Sequence, residues 1–110
     1  MRAPVRAGDL RHRITIEAPV RQPDGLGGAI LTWTPIAEVW AAIWPRTASE
    51  AMLLDRPAGT ASHDIWVRYR DAIVPEMRIV SGPRVFNILG VIDTEDRRRW
   101  LKCIVEERDL

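Results

Sequence analysis

Cysteine is nearly missing from this chain: Cys103 stands alone, which excludes an intrachain disulfide and any multi-cysteine zinc site. Leu101 and Val105 flank it at a spacing of two, the pattern of a buried strand thiol and not of an exposed nucleophile. Histidine occurs only as His12 and His63, far apart and without other residues at metal-ligand spacing. Lysine is reduced to Lys102 against fifteen arginines. No apolar run approaches the ~20 residues of a membrane-spanning helix. Met1–Arg6 carries no apolar leader core, so neither a membrane partner nor secretion through a cleaved leader is expected. An excess of one charge is absent too. The balance of 16 basic and 15 acidic residues leaves +1, unlike a strongly basic nucleic-acid binder.

Enzymatic signatures are also missing. Asp24-Gly25-Leu26-Gly27-Gly28 is glycine-rich, but it lacks the lysine of a phosphate loop and sits between strands instead of before a helix. The acidic pairs Glu95-Asp96 and Glu106-Glu107 fall in a turn and at a strand end, where solvated charge is the ordinary role. Two histidines, one cysteine and scattered serines form no triad by spacing. No catalytic, cofactor-binding or metal residue is assigned, and the chain is not expected to be an enzyme.

What is present is one domain's worth of sequence. The 110 residues, 46% hydrophobic and 28% charged, suit a single soluble core. Three of five tryptophans, Trp33, Trp40 and Trp44, crowd into Asp24–Pro45, and each indole can bury roughly 150–250 Å². Gly25, Gly27 and Gly28 supply a turn at positive φ.

Residues 1–9 show no periodicity and are expected to form a flexible N-terminal arm ahead of a single domain over 10–110. From Leu10 the pattern has period two, with His12, Ile14, Ile16 and Ala18 on one face and Arg11, Arg13, Thr15 and Glu17 on the other. Two prolines and three glycines predict a loop over Pro19–Ala29. A short strand Ile30–Thr34 follows, Pro35 interrupts, and a strand runs from Ala37 to Pro45. There Ala37, Val39, Ala41 and Ile43 oppose Glu38, Trp40, Ala42 and Trp44; two apolar faces imply a central position in a closed structure or an exposed interface.

Thr47-Ala48-Ser49-Glu50 has the form of a capping box and predicts a short helix from Ser49 to about Arg56, with a flexible exit over Gly59–Ser62. Its apolar residues are consecutive, so they must be buried or meet a partner. His63–Asp71 alternates as a strand, with Ile65, Val67 and Tyr69 opposing Trp66, Arg68 and Arg70. Met77–Val80 and Arg84–Gly90 flank a Ser81-Gly82-Pro83 turn. Val91-Ile92-Asp93 leads through a charged turn, Thr94–Arg98, into a last strand over Arg99–Glu107. The expected fold is all-β: a small barrel or sandwich of six to seven short antiparallel strands, with one short helix in a long mid-chain connection.

A nucleic-acid-binding barrel is the alternative reading. Trp66 or Tyr69 would stack bases while Arg68 and Arg70 met phosphates. Alternation puts Trp66 and Tyr69 on opposite faces, however, and Arg97-Arg98-Arg99 follows the compensating Asp93, Glu95 and Asp96.

A set of blocks runs in order over roughly residues 8–105. These are Gly8-Asp9-Leu10-Arg11-His12-Arg13-Ile14-Thr15-Ile16-Glu17, Asp24-Gly-Leu-Gly-Gly, Trp33, Val39-Trp-Ala-Ala-Ile-Trp-Pro45, Ser49-Glu50, His63-Asp-Ile-Trp-Val-Arg-Tyr-Arg70, Arg84-Val-Phe-Asn-Ile-Leu-Gly-Val-Ile-Asp93 and Arg99-Trp-Leu-Lys-Cys103. The ordered set resembles the phage head–tail joining (head-closure, or stopper) family, which includes the equivalent protein of phage-like gene transfer agents. Trp66 departs from a strand that is often more polar in that family.

The resemblance implies a structural β-barrel made in the bacterial cytoplasm and built into a virion or phage-like particle at the head–tail interface. It implies a homo-oligomeric ring that closes the DNA-filled head. Portal or adaptor ring proteins would lie above it and tail terminator or tail tube proteins below, with double-stranded DNA passing nonspecifically through the lumen. The expected subunit or ring interface is Trp40, Trp44, Trp66, Arg68, Arg70 and Trp100, outward-facing residues of the types enriched at interface hot spots. Asp24, Gly25, Gly27 and Gly28 form the expected docking loop, and Glu50, Met52, Leu53 and Leu54 the expected lumen segment.

Overall fold

The computed structural model describes residues 6–46, 61–71, 73–93 and 99–108. Six antiparallel strands form one sheet: β1 (His12–Pro23), β2 (Ala29–Pro45), β3 (His63–Arg68), β4 (Arg78–Ser81), β5 (Arg84–Asp93) and β6 (Trp100–Glu107). They pair in the order β1-β2-β3-β6-β5-β4, and β4 returns to β1, so the sheet closes as a barrel. A 3-10 turn, Ala7–Asp9, precedes it, with Asp9 accepting the Arg6 N–H at 2.9 Å. That turn occupies the described part of the expected arm. The expected helix, its capping box, the lumen residues Glu50, Met52, Leu53 and Leu54, and the Thr94–Arg98 turn lie outside the described residues.

Alternation built the core as its period requires. Ile14 and Ile16 of β1, Ala41 of β2, Ile65 and Val67 of β3, Ile79 of β4, Phe86 and Ile88 of β5, and Leu101, Cys103 and Val105 of β6 are all buried together. Ala37, Val39, Ile43 and Tyr69 pack against them from the faces that the sequence pattern assigns inward. Cys103 is fully enclosed, and burial first, then the Asp64 carboxylate, pushes its thiol up to about 12, so it acts as a small apolar filler.

Proline misleads in two places. The expected loop over Pro19–Ala29 is instead the continuation of β1 to Pro23, paired with β2 through to Pro23–Ala29, and only Asp24–Gly28 turns. An antiparallel strand bonded on one side needs its N–H only at alternate positions, so prolines fit between them. Nor does Pro35 split β2. It pairs with Glu17, while the next pair is Ile16–Ala37, leaving Ile36 as a β-bulge. A second bulge, at Leu89 in β5, reverses the facing so that Val91 joins the core after Phe86 and Ile88. That strand runs on to Asp93, beyond the expected end at Gly90. In the other direction, β3 stops at Arg68 and not at Asp71.

Because β1 pairs with β4 only over Thr15–Glu17, and β2 pairs with β3 only over Ala42–Pro45, residues 18–23 and 29–35 outrun the barrel as a two-stranded ribbon. At ~3.3 Å per residue it projects on the order of 20 Å. Its root is fixed by Arg78, whose Nε bonds Glu17 Oε1 at 2.7 Å while its guanidinium lies 4.2 Å from the Trp33 ring centroid.

Phe86 is 0% exposed, so Phe86→Ala is expected to cost about 3–5 kcal/mol in urea unfolding; a loss under 1 kcal/mol would contradict the core described. Arg78→Ala leaves Glu17 without this partner in a mostly buried site and uncovers Trp33. Amide order parameters over residues 20–32 are expected to fall below about 0.6, with the barrel staying near 0.85.

Candidate interaction surface

The outward face of β2, β3 and β6 carries most of the residues expected at an interface, and register explains how they meet. Ala42 lies opposite Trp66, leaving room for the indole, and Lys102 lies opposite Trp66 on its other side. Trp44 packs against it with ring centroids 6.0 Å apart and planes at 55°. Leu10 and Trp100 complete this second, smaller apolar cluster. The result corrects one expectation: Trp66 does point away from the barrel interior, but at 1% exposed it is covered by its own chain and offers no surface for docking. The Lys102 ammonium, 5.8 Å from the Trp66 ring centroid, belongs to that cover.

The rim of the cluster remains accessible. Trp44 and Trp100 are half-buried, and the exposed Arg68 lies opposite Trp100 with its guanidinium 5.1 Å from that ring. Arg70 is exposed beyond the end of β3 and lines an open depression of about 380 Å³ with Tyr69, Asp71, Asp93 and Leu101. Trp40 stands apart on the β1–β2 wall and is 51% exposed. Arg13 lies 5.2 Å from its ring and bonds Glu38 at 2.7 Å. The six interface residues therefore fall into three places: Trp44, Trp100 and Arg68 around buried Trp66, Arg70 at the depression beyond β3, and Trp40 on its own.

The turn residues are brought together by Asp24. Its Oδ1 accepts the N–H groups of Leu26 at 2.8 Å and Gly28 at 3.1 Å, and its own N–H bonds the Gly28 carbonyl at 3.2 Å. Gly25 and Gly27 take φ of 81° and 87°, where a side chain would be strained. Gly28 does not share that conformation; glycine is needed there because a Cβ would lie 2.9 Å from Asp24 Oδ2. At the tip Leu26 is 90% exposed, and Ile30 and Leu31 on opposite faces of the ribbon are 55% and 49% exposed. Sequence reasoning did not single out these three aliphatic residues: Leu26 fell in the expected loop, and Ile30 and Leu31 in an expected short strand whose exposure on both faces depends on the ribbon outrunning the barrel.

Among the described residues no group of histidine, cysteine or acidic side chains is arranged to hold a metal ion. The surface offers apolar contact, stacked cations and open strand edges, which is the chemistry of protein association.

Comparison with known proteins agrees with this geometry. Over residues 5–108 the chain matches the family model described as phage head completion protein. The solution structure of protein SF1141 from Shigella flexneri 2a superposes with a TM-score of 0.71 at 32% identity, covering 94% of this chain and 96% of that one. A chain in the virion of a native gene transfer agent particle superposes with a TM-score of 0.66 at 30% identity, covering 90% and 96%. No curated protein sequence matches. With a family match over nearly its whole length and two solved structures at 30% identity or more over nearly the whole of each chain, the chain belongs to the phage head completion protein family.

Proposed function

We propose that this protein assembles as a homo-oligomeric ring that closes the DNA-filled head of a phage or gene transfer agent particle and provides the surface on which the tail docks. The coarser part follows from the family: it is a structural protein of the virion or phage-like particle. The observation that carries the finer part is the ribbon. A closed barrel has no free edge to offer a neighbour, yet this one extends two strands past closure with unpaired outer edges and aliphatic side chains on both faces. In a ring each subunit meets the next through two different patches. The projecting ribbon and the wall bearing Trp44, Trp100 and Arg68 supply two such patches.

The partners proposed are copies of this chain within the ring, portal or adaptor proteins on one side, and tail terminator or tail tube proteins on the other. DNA in the lumen would meet charge without base readout. The Asp24–Gly28 turn serves as the docking loop, and the connection holding Glu50, Met52, Leu53 and Leu54 as the lumen segment. The nucleic-acid-binding alternative has less support, since Trp66 is buried and Tyr69 packs against the core, leaving this strand without a stacking platform.

Two experiments test the reading. Deleting the gene and imaging particles by negative stain is expected to yield filled or leaking heads beside free, complete tails; normal tailed particles would remove the protein from the joint. Ile30→Asp with Leu31→Asp changes exposed residues and is expected to alter monomer stability by no more than about 0.5 kcal/mol per site. Tailed-particle yield is expected to fall about tenfold or more, the equivalent of at least ~1.4 kcal/mol in assembly. Full yield would show that the ribbon is not part of the joint.

A further inference from the structure

At the rim opposite the ribbon, side chains from three strands and the incoming connection meet. Ser62 ends the connection that left β2 at Arg46, His63 opens β3, Arg84 opens β5 and Glu107 closes β6. His63 Nδ1 lies 2.8 Å from Ser62 Oγ, and its Nε2 lies 3.4 Å from a terminal nitrogen of Arg84. A guanidinium only donates. Nε2 therefore keeps its lone pair, and Nδ1 carries the proton and donates it to Ser62 Oγ. The same oxygen accepts the Glu107 backbone N–H at 2.8 Å.

Arg84 is itself gripped by both carboxylate oxygens of Glu107, at 2.7 and 3.1 Å, and lies 4.9 Å from the Phe86 ring centroid. Phe86 also meets the imidazole edge-on at 5.5 Å. The Ser62 backbone closes the stem of the connection, donating to the Val105 carbonyl at 2.9 Å and accepting from the Arg46 N–H at 2.8 Å. A second proton on the imidazole has no place here: on Nε2 it would set N–H against N–H and cation against cation.

We propose that this cluster is an acid-released latch, in which protonation of His63 breaks its contact with Arg84 and loosens the rim where the 46–62 connection rejoins the barrel and β6 ends. The groups facing His63 are the Arg84 guanidinium from β5, the Glu107 carboxylate from β6, Ser62 from the connection, uncharged Phe86 from β5, and Asp64 on its own strand. Asp64 is occupied by Arg46.

The direction of the response follows from these neighbours. Burial, then Arg84, hold the imidazole below its ordinary 6.5, while Glu107 and Asp64 pull weakly the other way. The opened state therefore binds the proton more tightly. The latch contributes fully above pH 6.5, and its contribution is lost as pH falls through the depressed folded value. Glu107, lowered chiefly by its hydrogen bond from Arg84, keeps its own contribution above 4.5 and loses it only as pH falls through its depressed value. The loss at His63 thus sets in below 6.5 and that at Glu107 only below 4.5.

The test uses the full chain. Ring-nitrogen NMR shifts of His63 are followed from about pH 8 to about pH 5, together with exchange rates of the Ser62 and Glu107 amides corrected for intrinsic pH dependence. The expected result is an Nδ1–H tautomer at high pH and a midpoint below 6.5. Protection at Ser62 and Glu107 should drop about tenfold or more across that midpoint, while Ile79 in β4 keeps its protection. His63→Gln is expected to remove the pH dependence. Should that variant fail to fold, Arg84→Gln is expected to raise the His63 midpoint. An Nε2–H tautomer, a midpoint at or above 6.5 in the unmutated chain, or rim protection that ignores the titration would each overturn the proposal.

Discussion

Three residue pairs close this fold: Thr15–Val80, Ile16–Ile79 and Glu17–Arg78. Every other seam of the barrel has at least four, so the β1–β4 seam is the narrowest place in the ring of hydrogen bonds. Two of these pairs contribute in different ways. Ile16 and Ile79 are sealed inside, at 1% and 0% exposed, and tie the seam to the core. Glu17 and Arg78 end it with a charge-assisted bond between side chains that are 16% and 18% exposed, a class of hydrogen bond worth ~1.5–3 kcal/mol. The same arginine then stacks on Trp33. The last rung of the barrel is therefore also the first anchor of the ribbon, and the seam can be short because that rung is strong.

The bulge at Ile36 lies at this junction for a physical reason. Strand pairing that continued in strict phase from the barrel into the ribbon would keep one curvature and one facing throughout. One extra residue in β2 bends the strand where the ribbon leaves and increases its local twist. Pro35, which donates no hydrogen bond, sits beside the irregularity where a donor is least needed. In β5 the bulge serves the opposite purpose, turning Val91 inward so that the core stays filled along the strand's length. One bulge releases a pair of strands from the barrel and the other keeps a long strand within it.

Period-two alternation made the barrel's interior legible, because a residue slip would have turned every inward side chain outward and the apolar sets agree along each strand. The outer cluster was only half legible. Trp66 had the correct facing, but its cover depends on Ala42 and Lys102 lying across from it, and cross-strand partners are set by register, which a single sequence does not display. The ribbon was misread because proline and glycine density is a local signal, whereas an edge strand tolerates proline for a reason of pairing. His63 was assigned no role in the sequence, since its neighbours Arg84 and Glu107 are 21 and 44 residues away along the chain and arrive only through closure. The functional class came from the ordered resemblance, since the residues alone offered no catalytic pattern and only weak signs of assembly.

The two ends of the barrel differ in a way that bears on what each can hold. Around the wall, the large aromatics carry cations: Arg13 on Trp40, Arg68 on Trp100, Arg78 on Trp33. A stacked guanidinium covers one face of an indole with a hydrated charge, so these rings are already partly satisfied within their own chain. Exposed aliphatic side chains concentrate on the ribbon, in Leu26, Ile30 and Leu31. At the opposite rim, Arg46–Asp64 and Arg84–Glu107 satisfy charge internally and hold the chain where it leaves and returns. An adhesive end and a tied end would suit the ring proposed above, in which the neighbours on the two sides are unlike. Contact at the ribbon can be made by burying aliphatic side chains and pairing open edges, with little charge to desolvate. Contact at the tied rim must displace or accommodate ion pairs, and so depends on the charge and protonation of what approaches it.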